Sequence, residues 1–264
     1  MSENVILTQI DPRGIATLTL NRPEVNNAYN GEMIRALIER IGTLGGDDKV
    51  RVIVIRGNGR HFQAGADLNW VQTSVTQTLD ENLVVSRETG KAFFGLLACP
   101  KPTVALVHGG CFGGGTGIAS SCDIVVAEEG AIFAITEARW GLVPTPIMPQ
   151  LLSRLGPARL RRYALSCQRF DARRAYDIGF VDEVCAEGKL DETVEPILDA
   201  LLHCPPNALA AIKADALRLA GLEFTEDEFE DMARAHAEKR GTEDAAEGVK
   251  SFLEKRKPNW YPGG

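Results

Sequence analysis

Apolar and polar positions alternate along residues 5–10 (VILTQI) and 15–20 (IATLTL), with Asp11-Pro12-Arg13-Gly14 between them. That pattern predicts two strands joined as a hairpin. Asn30 then precedes a stretch to about Leu44 in which Met33, Ile34, Leu37, Ile38 and Ile41 recur at helical spacing, and Gly45-Gly46 mark its end. Residues 50–55 read as a buried strand, 57–65 as a loop, and 80–97 as a long helix stopped by Pro100 and Pro102. A strand at 103–107, a glycine-rich turn at 108–115, a helix at 115–121 and strands at 124–127 and 131–135 follow. Strands and a helix thus recur over the first ~140 residues, which predicts a stacked or spiral α/β core.

Beyond Pro149 the period becomes helical. Helices are expected at 150–155, 157–166, 172–178, 193–203, 206–220, 226–239 and 243–255. Asp171 suits the N-cap of the third and Gly179 the position after it. The chain divides on this reading into a catalytic core, 1–199, and a helical C-terminal region, 200–264. The apolar faces of that region need a partner, either the core or a neighbouring subunit.

Composition narrows the function. The chain has 264 residues, 44% of them hydrophobic, enough for a large core. Asp and Glu number 36 against 29 Lys and Arg. An acidic balance argues against a nucleic-acid partner, which needs a dense basic face. The start MSENVILTQI lacks a basic segment followed by an apolar run, so no secretion signal is expected. No stretch reaches the ~18 apolar residues of a membrane span. The six cysteines are scattered without a CxxC pair. They read as buried apolar residues of a reducing compartment, and a cytoplasmic location is expected.

Three segments carry candidate chemistry. In His61-Phe62-Gln63-Ala64-Gly65-Ala66-Asp67-Leu68 a loop enters a helix near Asp67, which leaves the Ala66 amide without a helical partner. In His108-Gly109-Gly110-Cys111-Phe112-Gly113-Gly114-Gly115-Thr116-Gly117 a strand enters a glycine turn and a helix leaves it, freeing the Gly114 amide. Two such amides converging on one oxygen form an oxyanion hole, and one such donor contributes roughly 3–4 kcal/mol in a transition state. In the third segment Glu137 follows a strand among apolar neighbours, where burial would raise its pKa toward neutrality. The glycine turn is no P-loop, because no Gly-Lys-Ser/Thr follows. It is no dinucleotide fingerprint, because Ile118 stands at the last glycine position counted from Gly113. His61 and His108 have no neighbours at metal spacing, so no metal site is expected. Cys111 reads as a packing residue.

The order and spacing of these segments resemble the crotonase (enoyl-CoA hydratase/isomerase) superfamily. The likeness begins at Thr17-Leu18-Thr19-Leu20-Asn21-Arg22-Pro23-Glu24 and continues through residues 62–68. It includes Gly113-Gly114-Gly115 with Cys122-Asp123-Ile124, and ends at Glu254-Lys255-Arg256-Lys257-Pro258. It implies a spiral of ββα units, a helical trimerisation region, and a homotrimer or dimer of trimers. It implies an acyl-CoA thioester as substrate, with coenzyme A entering as part of it and no separate cofactor. It assigns the oxyanion amides to Ala66 and Gly114, the catalytic carboxylate to Glu137, and coenzyme A contacts to Ala64, Ala66, Asp67, Leu68, Asn69 and Lys255.

Hydratases of this family carry a second glutamate at the position of Gly117, so one of the two is absent here. The runs Gly113-Gly114-Gly115-Thr116-Gly117-Ile118 and Gly141-Leu142-Val143-Pro144 are similar to the bacterial 3-methylglutaconyl-CoA hydratase branch. That points to hydration of a branched glutaconyl-type thioester. Isomerisation or decarboxylation within the same superfamily is the alternative, and an RNA-binding or scaffold role on the same fold is the alternative of another class. Residues 70–97 are expected to line the acyl pocket, and Arg87 is a candidate partner for a substrate carboxylate.

Overall fold

The computed structural model describes residues 5–262. The start and end of the chain, 1–4 and 263–264, lie outside it, so the reading of the first residues as lacking a signal falls partly outside as well. Strands β1 (Ile6–Ile10) and β2 (Ile15–Leu20) form the expected antiparallel hairpin. The Asp11 carboxylate closes its turn by accepting from the amides of Arg13 and Ile15 at 2.8 and 2.9 Å. Helix α1 (Gly31–Gly46) starts under Asn30, whose side chain accepts from the Met33 amide. It buries Met33, Ile34, Leu37 and Ile41, as the spacing predicts. Next come β3 (Val52–Gly57), α2 (Leu68–Ser74) and α3 (Leu79–Leu97), the last opened by a reciprocal capping box of Thr78 and Glu81.

The chain then repeats a unit. It runs through β4 (Thr103–Val107), β5 (Gly110–Phe112) and α4 (Gly114–Ser121), then β6 (Ile124–Glu128) and β7 (Ile132–Ala134). Helix α5 (Met148–Ser166) joins the two helices expected at 150–155 and 157–166, with a break at Gly156 (φ 67°, ψ 166°). Then follow β8 (Phe170–Asp171), α6 (Ala172–Asp177), β9 (Glu183–Cys185), α7 (Leu190–His203), α8 (Pro206–Leu219), α9 (Glu226–Arg240) and α10 (Glu243–Leu253).

Two sheets result. The larger has the order β1-β2-β3-β4-β6-β9 and is parallel from β2 onward. The smaller has the order β5-β7-β8, and the single bridge of Gln63 to Cys111 extends it toward the loop after β3. Successive turns of chain therefore add one strand to each sheet before a helix returns, which is the expected spiral α/β fold. Three strands escaped the pattern: β5 inside the glycine turn, and β8 and β9. All have two or three residues, too few to show a period.

The inner strands β3 and β4 are buried on both faces and are mostly apolar, whereas β1 at the sheet edge is exposed beyond Ile6. Leu18, Ile53, Ile55, Ala105 and Val107 face one cluster with α1 and α3, while Val52, Val54, Val104 and Leu106 face Leu190, Val194 and Leu198 of α7. Residue 200, the expected boundary, falls within α7. Helices α9 and α10 pack on their own chain. Leu83 of α3 clusters with Ala233 and Ala237 of α9, and Ala245 and Val249 of α10 cluster with Val71 of α2 and Leu142.

Helix α10 approaches the chain around residues 140–141 backbone to backbone. A Cβ on Gly248 would come within 2.4 Å of the Trp140 carbonyl carbon, and one on Gly141 (φ 67°) within 2.4 Å of Asp244 backbone atoms. Gly248→Ala is therefore expected to lift α10 and to lower stability by about 1–3 kcal/mol, the cost of overpacking a rigid site. Thermal melting checks this, and an unchanged Tm would show that α10 adapts freely.

Candidate active site

The three chemically marked segments meet because backbone pairing laces them together. The Phe62 amide donates to the His108 carbonyl, Gln63 to Gly110, and Phe112 back to Gln63, at 2.9–3.1 Å. Strand β5 pairs in register with β7, Phe112 opposite Ala134, and the Gly113 amide donates to the Ala134 carbonyl. That register brings Glu137 beside the glycine turn. A Cβ on Gly113 (φ 50°) would lie 3.1 Å from Glu137 Oε1.

Several of the amides around the candidate oxyanion hole are used. Gly65 donates to Gln63 Oε1, Asp67 to the Tyr29 carbonyl, and Gly113 to Ala134. The amides of Ala66 and Gly114 have no acceptor among the described residues. Gln63 fixes the turn beside Ala66. Fully buried, it accepts from the Gly65 amide and donates to the Gly65 carbonyl, both at 2.8 Å, and closes its own turn. It fits because Gly115 has no side chain: a Cβ there would sit 2.5 Å from the Gln63 carbonyl oxygen. Nothing in the sequence distinguished Gln63 from an ordinary loop residue.

Ala66, Gly114 and Glu137 line one cavity of about 350 Å³. Tyr29 closes it against Gly114, where a Cβ would meet Tyr29 Cε1 at 2.3 Å. Glu137 opens a short 3-10 turn, Glu137–Trp140. Its side chain is only partly covered as a whole, yet Oε2 is buried with no hydrogen-bond partner among the described residues. Burial pushes this carboxyl up to about 7, against smaller lowering by the backbone at Glu137 and Thr136. The position of the family's second glutamate is closed. A Cβ on Gly117 would meet Ile147 Cγ2 at 2.2 Å and Phe93 Cε1 at 3.1 Å.

Of the expected coenzyme A contacts, Ala64, Ala66 and Leu68 line the cavity. Asp67, Asn69 and Lys255 do not. The Asp67 carboxylate is occupied by Arg22 at 3.1 Å and by the Asn69 amide, which caps α2. Asn69 is exposed. Lys255 is also exposed, in a left-handed conformation just beyond α10. It lies three residues from Phe252, which lines the cavity and packs edge-on against Trp140 at 4.6 Å. Arg256 is taken by Glu247 and Glu254.

Arg87 does not reach the acyl pocket. Its guanidinium grips Glu230 of α9 at 2.8 and 2.5 Å. From the expected pocket region, Val71, Thr89 and Phe93 are in the wall. Two wall residues had no sequence signal, His236 and Arg240 of α9. Their neighbourhood, HAEKRGTED, reads as a solvated helix end. His61 accepts from the Gly110 amide at 2.8 Å, and burial lowers its pKa. His108 bonds the Gly59 carbonyl. Cys111 is fully buried, and burial pushes its thiol well up. Among the described residues no group of His, Cys, Asp or Glu is arranged to hold a metal ion, and no helix is long and apolar enough to cross a membrane.

Comparison with known proteins agrees with this geometry. The enoyl-CoA hydratase/isomerase family model matches residues 11–262. The 2,3-dehydroadipyl-CoA hydratase of Escherichia coli is 32% identical over 98% of this chain and 99% of its own. The 1,2-epoxyphenylacetyl-CoA isomerase of the same organism is 33% identical over 97% of both. The crystal structure of an enoyl-CoA hydratase from Mycobacterium avium superposes with a TM-score of 0.85 at 31% identity, over 98% of this chain and 99% of that one. The chain belongs to the enoyl-CoA hydratase/isomerase family, the crotonase fold of enzymes.

Proposed function

We propose that the chain hydrates an α,β-unsaturated acyl-CoA, with Glu137 as its single acid–base group. The observation that carries this is the juxtaposition of two unpaired amides, Ala66 and Gly114, with a buried carboxyl near pKa 7 in one cavity. The thioester oxygen would accept from both amides. Ionised Glu137 takes a proton from water as the hydroxyl adds to C3, and the electron pair of the double bond moves onto the thioester oxygen as an enolate. Glu137 then returns its proton to C2, the enolate collapses, and the carboxylate is regenerated. One water is consumed, and no second carboxylate is needed for proton balance.

The preferred acyl chain on this reading is branched and glutaconyl-type, as the residues around Gly117 and 141–144 suggest. Isomerisation is the second reading, and the closed position at Gly117 favours it specifically. A single carboxylate moving one proton along the chain needs no water clamp. Incubation with 3-methylglutaconyl-CoA separates the two. Hydration abolishes the conjugated enoyl absorbance, whereas isomerisation leaves a double bond in the product. Retention of that double bond would overturn the hydratase reading.

Glu137→Gln should lower kcat by at least ~10²-fold, the lower end for general acid–base groups, while acyl-CoA affinity survives. Adding Gly117→Glu should not rescue it, because Ile147 and Phe93 fill that space. A variant keeping more than about a tenth of wild-type kcat would remove Glu137 from the chemistry.

The same group predicts opposite pH trends for activity and stability. Ionised Glu137 is the working base, so kcat/KM should fall with a slope of one as pH drops through about 7. For stability, its folded pKa lies above the ordinary 4.5, so the folded state holds the extra proton between the two values. The stability it contributes is complete below the unfolded value and lost as pH rises through about 7. Glu137→Gln should therefore raise Tm relative to wild type at about pH 8.5, with the gain shrinking toward pH 5. A pH-independent difference in Tm would contradict a buried titrating carboxyl.

A homotrimer, or a dimer of trimers, belongs to the same proposal. Helix α8 buries no residue within the chain, and Ile212 and Leu219 on it are 66% and 77% exposed. Light scattering at micromolar concentration should give three or six times the 28.6 kDa chain mass. A monomer would overturn this part.

A further inference from the structure

The cavity wall holds a buried cation that the proposed proton chemistry does not use. Arg240 ends α9 and is 3% exposed. Its Nε donates to Asn82 Oδ1 at 3.3 Å, and its guanidinium carbon lies 5.0 Å from the centre of the Trp70 ring. Its terminal nitrogens make no hydrogen bond, and no carboxylate lies within ion-pair distance, among the described residues. The chain's other well-covered arginines differ. Arg22 and Arg154, with side chains 16% and 12% exposed, are each paired to an aspartate at 3.1 Å. A guanidinium cannot shed its proton in a protein, so burying one without an anion leaves a standing cost.

The neighbours orient this charge toward the cavity. Asn82, itself 1% exposed, donates to the Ser74 carbonyl at 2.8 Å, which turns its oxygen to Arg240. His236, one turn earlier on α9 and 8% exposed, bonds Ser86 Oγ through Nδ1 at 2.9 Å and also lines the cavity. Burial, with Arg240 adding to it, pushes His236 down to about 3, so the ring is neutral at working pH. From the oxyanion amide the wall runs in steps. Tyr29 packs on Gly114, Trp70 meets Tyr29 edge-on at 5.9 Å, and Arg240 lies over Trp70. A thioester held at Gly114 would thus have its acyl chain pointing along these rings toward the guanidinium.

We propose that Arg240, with neutral His236 beside it, recognises a carboxylate at the far end of the acyl chain, so that the preferred substrate is the thioester of a short dicarboxylic acid. This rests on the reading of the cavity as a thioester site. The guanidinium offers two terminal N–H groups to the carboxylate, the geometry for which arginine is suited.

The test uses saturated thioesters, whose binding does not depend on turnover. Glutaryl-CoA and valeryl-CoA have acyl chains of equal carbon number and differ in the terminal carboxylate. Calorimetry should show wild type binding glutaryl-CoA more tightly. Arg240→Met should lose roughly 10- to 100-fold in glutaryl-CoA affinity, the fold-change of one charge-assisted hydrogen bond, and should keep valeryl-CoA within about threefold. Equal losses for the two would make Arg240 a packing residue and overturn the proposal, as would a wild-type preference for valeryl-CoA. Should Arg240→Met fail to fold, the wild-type preference decides alone. Failure of wild type to bind either thioester would overturn the thioester reading itself, an outcome distinct from binding both equally.

Discussion

Two backbone amides left unpaired beside a buried carboxyl set the terms for the rest of this structure. An amide without an acceptor away from water is costly, so such a pair persists only where the surrounding backbone is over-determined. Here the determination comes from both sides. Parallel pairing holds the loop after β3 against β5, and Gln63 uses both ends of its amide to close the Gly65 turn. The donors of Gly65, Asp67 and Gly113 find partners in Gln63, Tyr29 and Ala134, while Ala66 and Gly114 keep their amides unused. The glycines follow from this crowding. Gly115 admits Gln63, and Gly114 admits Tyr29.

The carboxyl obeys the same logic with the opposite sign. Glu137 is carried in by the register of β5 on β7, and burial raises its affinity for a proton. Packing at Gly117 removes any room for a second acid. Ile147 and Phe93 occupy that volume, so loss of the other glutamate is built into the core rather than being a local gap. On the proposed reading, the protons pass through one group held near neutrality.

Much of this was legible because its causes are local. Strand-to-turn-to-helix joints at Asp67 and Gly114 announce free amides, and Glu137 among apolar neighbours announces a raised pKa. The helix starts at Asn30 and Asp171 follow from capping, while the Thr78 cap, two residues before the expected start at 80, was not read. What was not legible depends on distant partners. Gln63 matters only because Gly115 is against it. Asp67, expected at the coenzyme A site, is held by Arg22, 45 residues earlier, a partner the local sequence does not show. Arg87 looked available and is bound by Glu230, 143 residues later. Arg240 stands in a charged stretch, and its burial is decided by how α9 settles on α3.

That settling gives the C-terminal helices a part in the site. Helix α10 docks where Gly141 and Gly248 let backbones meet, and it sets Phe252 against Trp140, beside the turn that carries Glu137. Helix α9 adds His236 and Arg240 to the cavity wall. Arg139 and Arg169 also line the cavity but are exposed, whereas Arg240 is its buried cation. At Glu137 the negative charge is conditional, because burial brings its titration close to neutral pH. At Arg240 the positive charge is permanent, while neighbouring His236 is neutral. The Trp70 face compensates that charge in part, by about 2 kcal/mol or somewhat more for a desolvated cation over an aromatic ring. Because that is less than a buried charge costs, the field of Arg240 extends into the cavity. A chain bearing a negative end would be aligned by it, charge toward α9 and thioester toward Ala66 and Gly114, before any proton moves.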